Sequence, residues 1–365
     1  MNLQLSLMQK LIECLGNNHL ENWDNFRFGD ESQKSRLFPR KLDILNSRGY
    51  FHFLQTKNVF KYADSILGDF WANLENTYQL LEDKTSQEIY LELLAFRVLG
   101  HTKVKLSSNN EDRITKIKKL HEQIDRNDKI KSNFKGYDLF KHKFNYQNRN
   151  LEMYLTECGP LYAFFLGEYR LPPLIETKEC DVVIDCGACW GDTTIEFASS
   201  VGEEGKVYTY EFLPFNINIL QKNISLNEFL SNRIEIVNKA VWDESEKTMF
   251  YKDDGPSTRV DSSEFQGHEG AVKTLSIDDL VIKENISKVS LIKMDIEGAE
   301  QNALIGAIET IKRFKPNLAI SIYHSLNDFS EIALWIDSLK LEYEFHVKHF
   351  TIHLEETVLF ASVKN

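Results

Sequence analysis

The chain has 365 residues, a formal net charge of −12, 42% hydrophobic and 27% charged residues. That leaves room for two to three domains of ~150 residues and excludes wholesale disorder or a collagen-like chain. The acidic balance argues against a nucleic-acid-binding surface, no apolar run reaches the ~18 residues of a membrane span, and five cysteines fit a reducing, cytoplasmic setting.

The start, Met1 to Lys10, has no basic stretch ahead of an apolar run and does not read as a signal peptide. Leu3, Leu7, Leu11 and Leu15 recur every four positions, which lines one helix face. Thr85-Ser86-Gln87-Glu88 fits a capping box that opens a helix through Leu99, with Gly100 placed to end it. Residues 1–170 therefore read as a mainly helical N-terminal domain, suited to acceptor binding or oligomerisation. Between Arg113 and Arg149 eleven Lys or Arg face four Asp or Glu. With Ile114, Ile117, Leu120 and Ile124 as a buried stripe, this segment reads as a solvated helix face in preference to an anion site.

Leu171-Pro172-Pro173 changes the pattern, because proline does not continue a helix. Strands follow at Val182–Asp185, Lys206–Glu211, Arg233–Val237, Val289–Asp295 and Asn317–Tyr323, with helices at Thr193–Ser199, Gln301–Phe314 and Leu326–Lys340. Alternation of this kind builds a doubly wound parallel sheet. Glu344–Phe350 and Thr357–Ala361 are joined by too few residues for a helical crossover, so they must pair as an antiparallel hairpin. Gly255-Pro256-Ser257-Thr258-Arg259 reads as a polar turn, or else as an acceptor loop with Arg259 meeting an anion.

Asp185-Cys186-Gly187-Ala188-Cys189-Trp190-Gly191-Asp192-Thr193 lies where a strand turns into a helix, so its backbone can approach a ligand. Glu211 sits twenty residues past Gly191 at the next strand tip, where a carboxylate can accept from both ribose hydroxyls of an adenosine cofactor. The glycine spacing departs from G-x-G-x-x-G, which disfavours a dinucleotide and leaves a smaller nucleoside such as S-adenosylmethionine. Cys186 and Cys189 also match C-x-x-C, but no second pair or histidine cluster supplies the remaining zinc ligands.

The segments Asp185–Thr193, Tyr210-Glu211-Phe212-Leu213-Pro214 and Lys293-Met294-Asp295-Ile296-Glu297-Gly298-Ala299-Glu300 together resemble the FkbM family of S-adenosylmethionine-dependent methyltransferases. The resemblance runs from about Asp181 to the C-terminus, with Cys189 and Phe212 departing from the family's usual Asn and Pro. It implies an α/β, Rossmann-like seven-stranded methyltransferase sheet over residues 171–365, and methyl transfer to oxygen, often on sugars. Carried over by position, Asp185, Gly187, Ala188 and Gly191 would shape the methionine end of the cofactor pocket, and Asp192 or Thr193 would bond its amino-acid group. Glu211 would hold the ribose, while Phe212 would stack on adenine or else fill the core, and Ala240 would line the same slot.

Asp295 and Glu297 end the fourth strand, and Tyr323-His324-Ser325 ends the fifth beside it. His324 is the expected general base for an acceptor hydroxyl, with a divalent cation on Asp295, Glu297 and His324 ranked second; Lys293 reads as supporting the site. The acceptor is expected to be a small molecule or glycan, an anionic one included, and the protein to need no nucleic acid, with a homo-oligomer open. A nicotinamide-dependent dehydrogenase and a non-catalytic binding protein on a methyltransferase fold are the competing functions.

Overall fold

The computed structural model describes residues 2–19, 22, 56–132 and 137–363. Helix α1 (Leu3–Leu15) buries Leu3, Leu7 and Leu11, and the Asn2 side chain caps it by accepting from the Leu5 amide at 3.1 Å. Helices α2 (Thr56–Leu67), α3 (Trp71–Leu80) and α4 (Lys84–Leu99) follow. The expected capping box at Thr85 is corrected. Asp83 caps α4, accepting from the Ser86 amide at 2.8 Å and the Ser86 hydroxyl at 2.6 Å, because a carboxylate is the stronger acceptor. Gly100 ends α4 at φ +75°.

The basic segment is not one helix face. Helix α5 (Glu111–Gln123) stops after its first third, and β1 (Asp125–Lys131), β2 (Asp138–Tyr146) and β3 (Arg149–Leu155) form an antiparallel sheet in that order. Leu120 is buried as expected, but Ile114 is exposed and Ile124 is already extended. Gln147 and Asn148, both at positive φ, supply the two-residue turn that matches hairpin twist. Residues 133–136 lie outside the described residues. A single π-helical turn, Leu161–Leu166, then leads through Gly167 to the Pro172-Pro173 junction.

Beyond the prolines the chain alternates as expected: β4 (Val182–Cys186), α6 (Asp192–Ser200), β5 (Lys206–Tyr210), α7 (Pro214–Leu226) and β6 (Ile234–Val237). The expected turn, Gly255–Arg259, joins β7 (Thr248–Tyr251) to β8 (Val260–Asp261), and with β9 (Gly270–Lys273) these strands form a second small antiparallel sheet. Then come α8 (Ile277–Lys283), β10 (Leu291–Met294), α9 (Glu300–Ile305), α10 (Ile308–Phe314), β11 (Asn317–Ser321), α11 (Leu326–Ser338), β12 (Tyr343–His349) and β13 (Thr357–Val363). The single helix expected over 301–314 is two, parted at Gly306, where a Cβ would come within 2.2 Å of the Trp242 carbonyl.

The main sheet has the order β12-β13-β11-β10-β4-β5-β6, with β13 antiparallel to both neighbours. Chain direction reverses its walk across the sheet between β4 and β10, and open α/β sheets leave a crevice at the carboxyl ends there. Helices α3 and α4 cover the opposite edge. Tyr90 stacks on Phe329 of α11 with ring centroids 4.3 Å apart, and the Glu82 amide donates to the Phe345 carbonyl of edge strand β12 at 2.9 Å. The first helices and this side of the sheet share one apolar core, running from Leu3 to Phe345. Strand β3 docks on α7, where Asn223 accepts from the Tyr154 amide at 2.7 Å and donates to its carbonyl at 3.1 Å. Among the described residues no helix is long and apolar enough to cross a membrane.

Candidate active site

A cleft of about 1690 Å³ opens at the carboxyl ends of β4, β5, β10 and β11. Its floor comes from those strand tips. One wall comes from α5, β2 and the segment 155–169, and the opposite wall from the turn around Gly255, which carries Arg259.

The loop after β4 is shaped by its glycines. Gly187, at φ +88°, packs so closely on β10 that a Cβ would lie 2.0 Å from the Asp295 carbonyl oxygen. Gly191, at φ +90°, stands where a Cβ would meet Leu220 of α7 at 2.4 Å. Only glycine satisfies both the backbone angle and the contact. Gly187, Asp192 and Thr193 line the cleft, whereas Ala188 and Gly191 lie behind it. Asp185 is also behind the surface, fully buried. Its Oδ2 accepts from the hydroxyls of Thr193 at 2.9 Å, Thr194 at 2.7 Å and Thr209 at 3.3 Å, and its Oδ1 lies 3.2 Å from Lys293 Nζ. Asp185 thus ties β4, α6, β5 and β10 together and reaches the cleft only through the loop it fixes. Lys293 Nζ donates to the Cys186 and Gly187 carbonyls at 3.2 and 2.8 Å, a supporting role as expected.

Glu211 lies at the β5 tip with Oε1 accepting from the Phe212 and Leu213 amides at 2.6 and 2.8 Å and Oε2 from Asn216 at 3.2 Å. Burial outweighs these bonds and pushes its carboxyl up to about 7. Burial likewise pushes Asp192 up to about 6. Phe212 is half-buried on the cleft wall, its ring 5.2 Å from that of Tyr251, and Ala240 lies beside them. The cysteine pair divides: Cys186 faces the core while Cys189 borders the cleft, and burial raises both thiols.

Asp295, Glu297 and His324 meet on the cleft floor as expected, but His324 is not placed to be a neutral base. Its side chain is 2% exposed, with Nε2 3.3 Å from Asp295 and 3.6 Å from Glu297 and Nδ1 3.2 Å from Glu300. Burial opposes a charged ring, yet the three carboxylates outweigh it and hold the imidazole far above the usual histidine range. While these acids keep the ring protonated, it has no lone pair to offer an acceptor hydroxyl. This setting favours an imidazolium clasped by acids over the neutral general base expected from the sequence. Asp295 is no better a base. Burial would raise it, but His324, Lys293 and the Tyr169 hydroxyl at 2.9 Å hold it below the ordinary carboxylate range, and the Tyr323 hydroxyl donates to it at 3.0 Å.

Two acids that sequence reasoning passed over also border the cleft. Glu168, from the segment before the prolines, is buried on the cleft wall, and Oε1 has no hydrogen-bond partner among the described residues. Burial raises it well above the carboxylate range, helped by a hydrogen-bonded neighbour, Glu356, and by Asp295 and Asp192 nearby. No sequence signal marks this pair, because the two residues come from opposite ends of the fold. Glu300, by contrast, stood inside the Lys293–Glu300 motif.

A seven-stranded sheet of this order, with one antiparallel strand and a ligand cleft over β4, β5 and β10, defines a Rossmann-like methyltransferase fold. Residues 185–346 match the model of the methyltransferase FkbM domain. Among solved structures, the methyltransferase FkbM from Methylobacillus flagellatus KT is similar at 19% identity, covering 93% of this chain and 72% of that one with a TM-score of 0.55. The fibrillarin of Aeropyrum pernix, solved with natively bound S-adenosyl-L-methionine, is similar at 14% identity, covering 64% of this chain and 92% of that one with a TM-score of 0.37. No curated protein gives a significant sequence match.

Proposed function

We propose that the protein transfers a methyl group from S-adenosylmethionine to a hydroxyl of a sugar or sugar-containing acceptor. The observation that carries this reading is the pairing of the Gly187 loop with the buried Glu211 carboxylate in one cleft. The residues fit that cofactor. Gly187 leaves the loop flat against β10, Glu211 keeps acceptor capacity on Oε2 for ribose hydroxyls, and Asp192 stands at the start of α6 for the amino-acid ammonium. Phe212 offers a ring face on the same wall for adenine. When bound, the cofactor supplies an electrophilic methyl group on a sulfonium.

The chain's own groups would do the rest. A hydroxyl near its ordinary pKa attacks a methyl group poorly, so a positioned proton acceptor helps. Glu168 in its ionised form suits that role, because it lines the cleft, Oε1 is free of other hydrogen bonds among the described residues, and burial beside Glu356 raises its affinity for a proton. Ligand pockets commonly measure roughly 300–1,000 Å³. The remaining cleft volume, walled by α5 and β2 of the N-terminal half, would hold the acceptor, with Lys118 and Arg259 able to meet an anionic group. The described cysteines are all free, which suits a reducing cytoplasm.

Incubation of the purified protein with methyl-labelled S-adenosylmethionine and a panel of nucleotide sugars tests the proposal. Label should enter an acceptor as an alkali-stable ether. Transfer to protein, to RNA or to nitrogen alone would overturn it.

A further inference from the structure

We infer that Asp295, Glu300 and His324 form a binding site for one divalent transition-metal cation, with Glu297 at its border. The inference deepens the methyl-transfer reading and rests on it for its chemical role, but the site itself follows from four side chains and their surroundings. Asp295 follows β10, Glu297 sits in the turn after it at φ +58°, Glu300 opens α9 and His324 follows β11. Oxygen atoms of Asp295 and Glu300 and a ring nitrogen of His324 all lie within 4.8 Å of one another.

The charge is unbalanced. Asp185, Asp295, Glu297 and Glu300 surround one lysine, Lys293, and one imidazole. Even a protonated ring leaves the acids in excess, at a place where Glu300 is fully buried and the His324 side chain is 2% exposed. Buried charges of one sign are costly unless a counter-charge accompanies them.

The hydrogen bonding is incomplete in the same place. Neither ring nitrogen of His324 has a hydrogen-bond partner in acceptable geometry among the described residues, although carboxylates stand 3.2–3.6 Å away. Glu300 Oε1 accepts from the Ile296 amide at 2.8 Å, but its Oε2 is buried and unpartnered. A proton can serve one nitrogen and one oxygen along a single line, whereas a cation accepts several donors at once. Ligands about 2.0–2.2 Å from an ion and adjacent around it lie roughly 3.0–3.5 Å apart. The His324 separations from Asp295 and Glu300, 3.3 and 3.2 Å, are of that size.

The outer groups also suit a metal site. The Tyr169 and Tyr323 hydroxyls donate to Asp295, fixing its carboxylate as second-layer donors commonly do for metal ligands. A mixed imidazole and carboxylate set favours Mn²⁺, Fe²⁺ or Zn²⁺ over Mg²⁺, which prefers oxygen donors and water. Glu300 closes the inner side while Asp295, Glu297 and His324 border the cleft, so open coordination positions would face the acceptor. A cation there would lower the pKa of a bound hydroxyl as Glu168 takes its proton.

The test is Mn²⁺ alone, titrated into chelator-treated full-length protein and followed by the paramagnetic resonance signal of the free ion. One Mn²⁺ should bind per chain, and His324→Gln and Glu300→Gln should each weaken it at least tenfold, with circular dichroism confirming the fold. Glu297→Gln, at a more exposed position, should weaken it less and serves if the buried variants do not fold. Absence of Mn²⁺ binding by the wild-type chain, or equal binding by the folded variants, would overturn the inference and leave His324 as an imidazolium clasped by three acids. S-adenosylhomocysteine binding on the same samples keeps the two proposals apart: retained nucleoside binding without Mn²⁺ binding refutes only the cation site.

Discussion

If Glu211 holds the cofactor ribose as proposed, cofactor affinity depends on pH in a way that can be worked out. In the free cleft its carboxyl is pushed up to about 7, and that of Asp192 to about 6. Ribose hydroxyls and a ligand ammonium donate to ionised carboxylates, so S-adenosylhomocysteine should select the ionised forms. If the bound complex keeps both groups ionised, lowering the pH from 7.5 to 5.5 costs roughly 25-fold through Glu211 and roughly fourfold through Asp192. The combined loss is about a hundredfold, or about 2.7 kcal/mol. Calorimetric titration at the two pH values reads it directly, and buffers of different ionisation enthalpy should show proton release near pH 6.5. Glu211→Gln should leave only the roughly fourfold part, and at pH 7.5 should lose about 1.5–3 kcal/mol of affinity with the charged acceptor. A flat affinity, or an unchanged slope in Glu211→Gln, would refute the assignment. The same raised pKa acts on folding with the opposite preference. Between the ordinary value of 4.5 and about 7 the folded chain keeps a proton that the unfolded chain releases. The stabilisation is therefore full below 4.5 and is lost as pH rises through about 7.

Three further outcomes are expected. Gly187→Ala places a Cβ 2.0 Å from the Asp295 carbonyl at φ +88°, so it should destabilise by about 2 kcal/mol or more in denaturant titrations; a change near zero would mean that the loop relaxes freely. Glu168→Gln should lower kcat roughly 10²–10⁴-fold and leave S-adenosylhomocysteine affinity nearly unchanged, whereas near-normal turnover across the pH range would remove it as the proton acceptor. Arg259→Gln should raise KM for an anionic acceptor roughly tenfold with cofactor affinity preserved, and equal KM values in the two proteins would assign that loop a purely structural role.

The fold was legible where the sequence repeats one physical pattern. Short apolar strands, each followed by a helix and three of them running into an acid, place β4, β5, β10 and β11 within a few residues of their observed bounds. The terminal hairpin followed from chain length alone. The basic segment misled because its isoleucines fit a helical stripe, while the turn at Gln147 and Asn148 that converts it to a hairpin carries no glycine. Asp83 won the α4 cap through contacts with both Ser86 and His346, and the second of these is far along the chain.

The candidate site divides along the same line. The glycine loop and Glu211 belong to local strand–loop–helix patterns, and they do reach one cleft. The state of His324 depends on Glu300 and on burial, neither of which spacing reveals. Glu168 and Glu356 meet only because the segment before Pro172 and the β12–β13 loop fold over the same strand tips.

A crystal structure of the protein grown with S-adenosylhomocysteine tests the central claim most directly. The ligand should lie across the tips of β4 and β5, with ribose hydroxyls on Glu211, adenine against Phe212, its amino-acid group at the Gly187–Asp192 loop and its sulfur turned toward Asp295 and Glu168. A ligand bound elsewhere, or one whose ribose does not touch Glu211, would contradict the account.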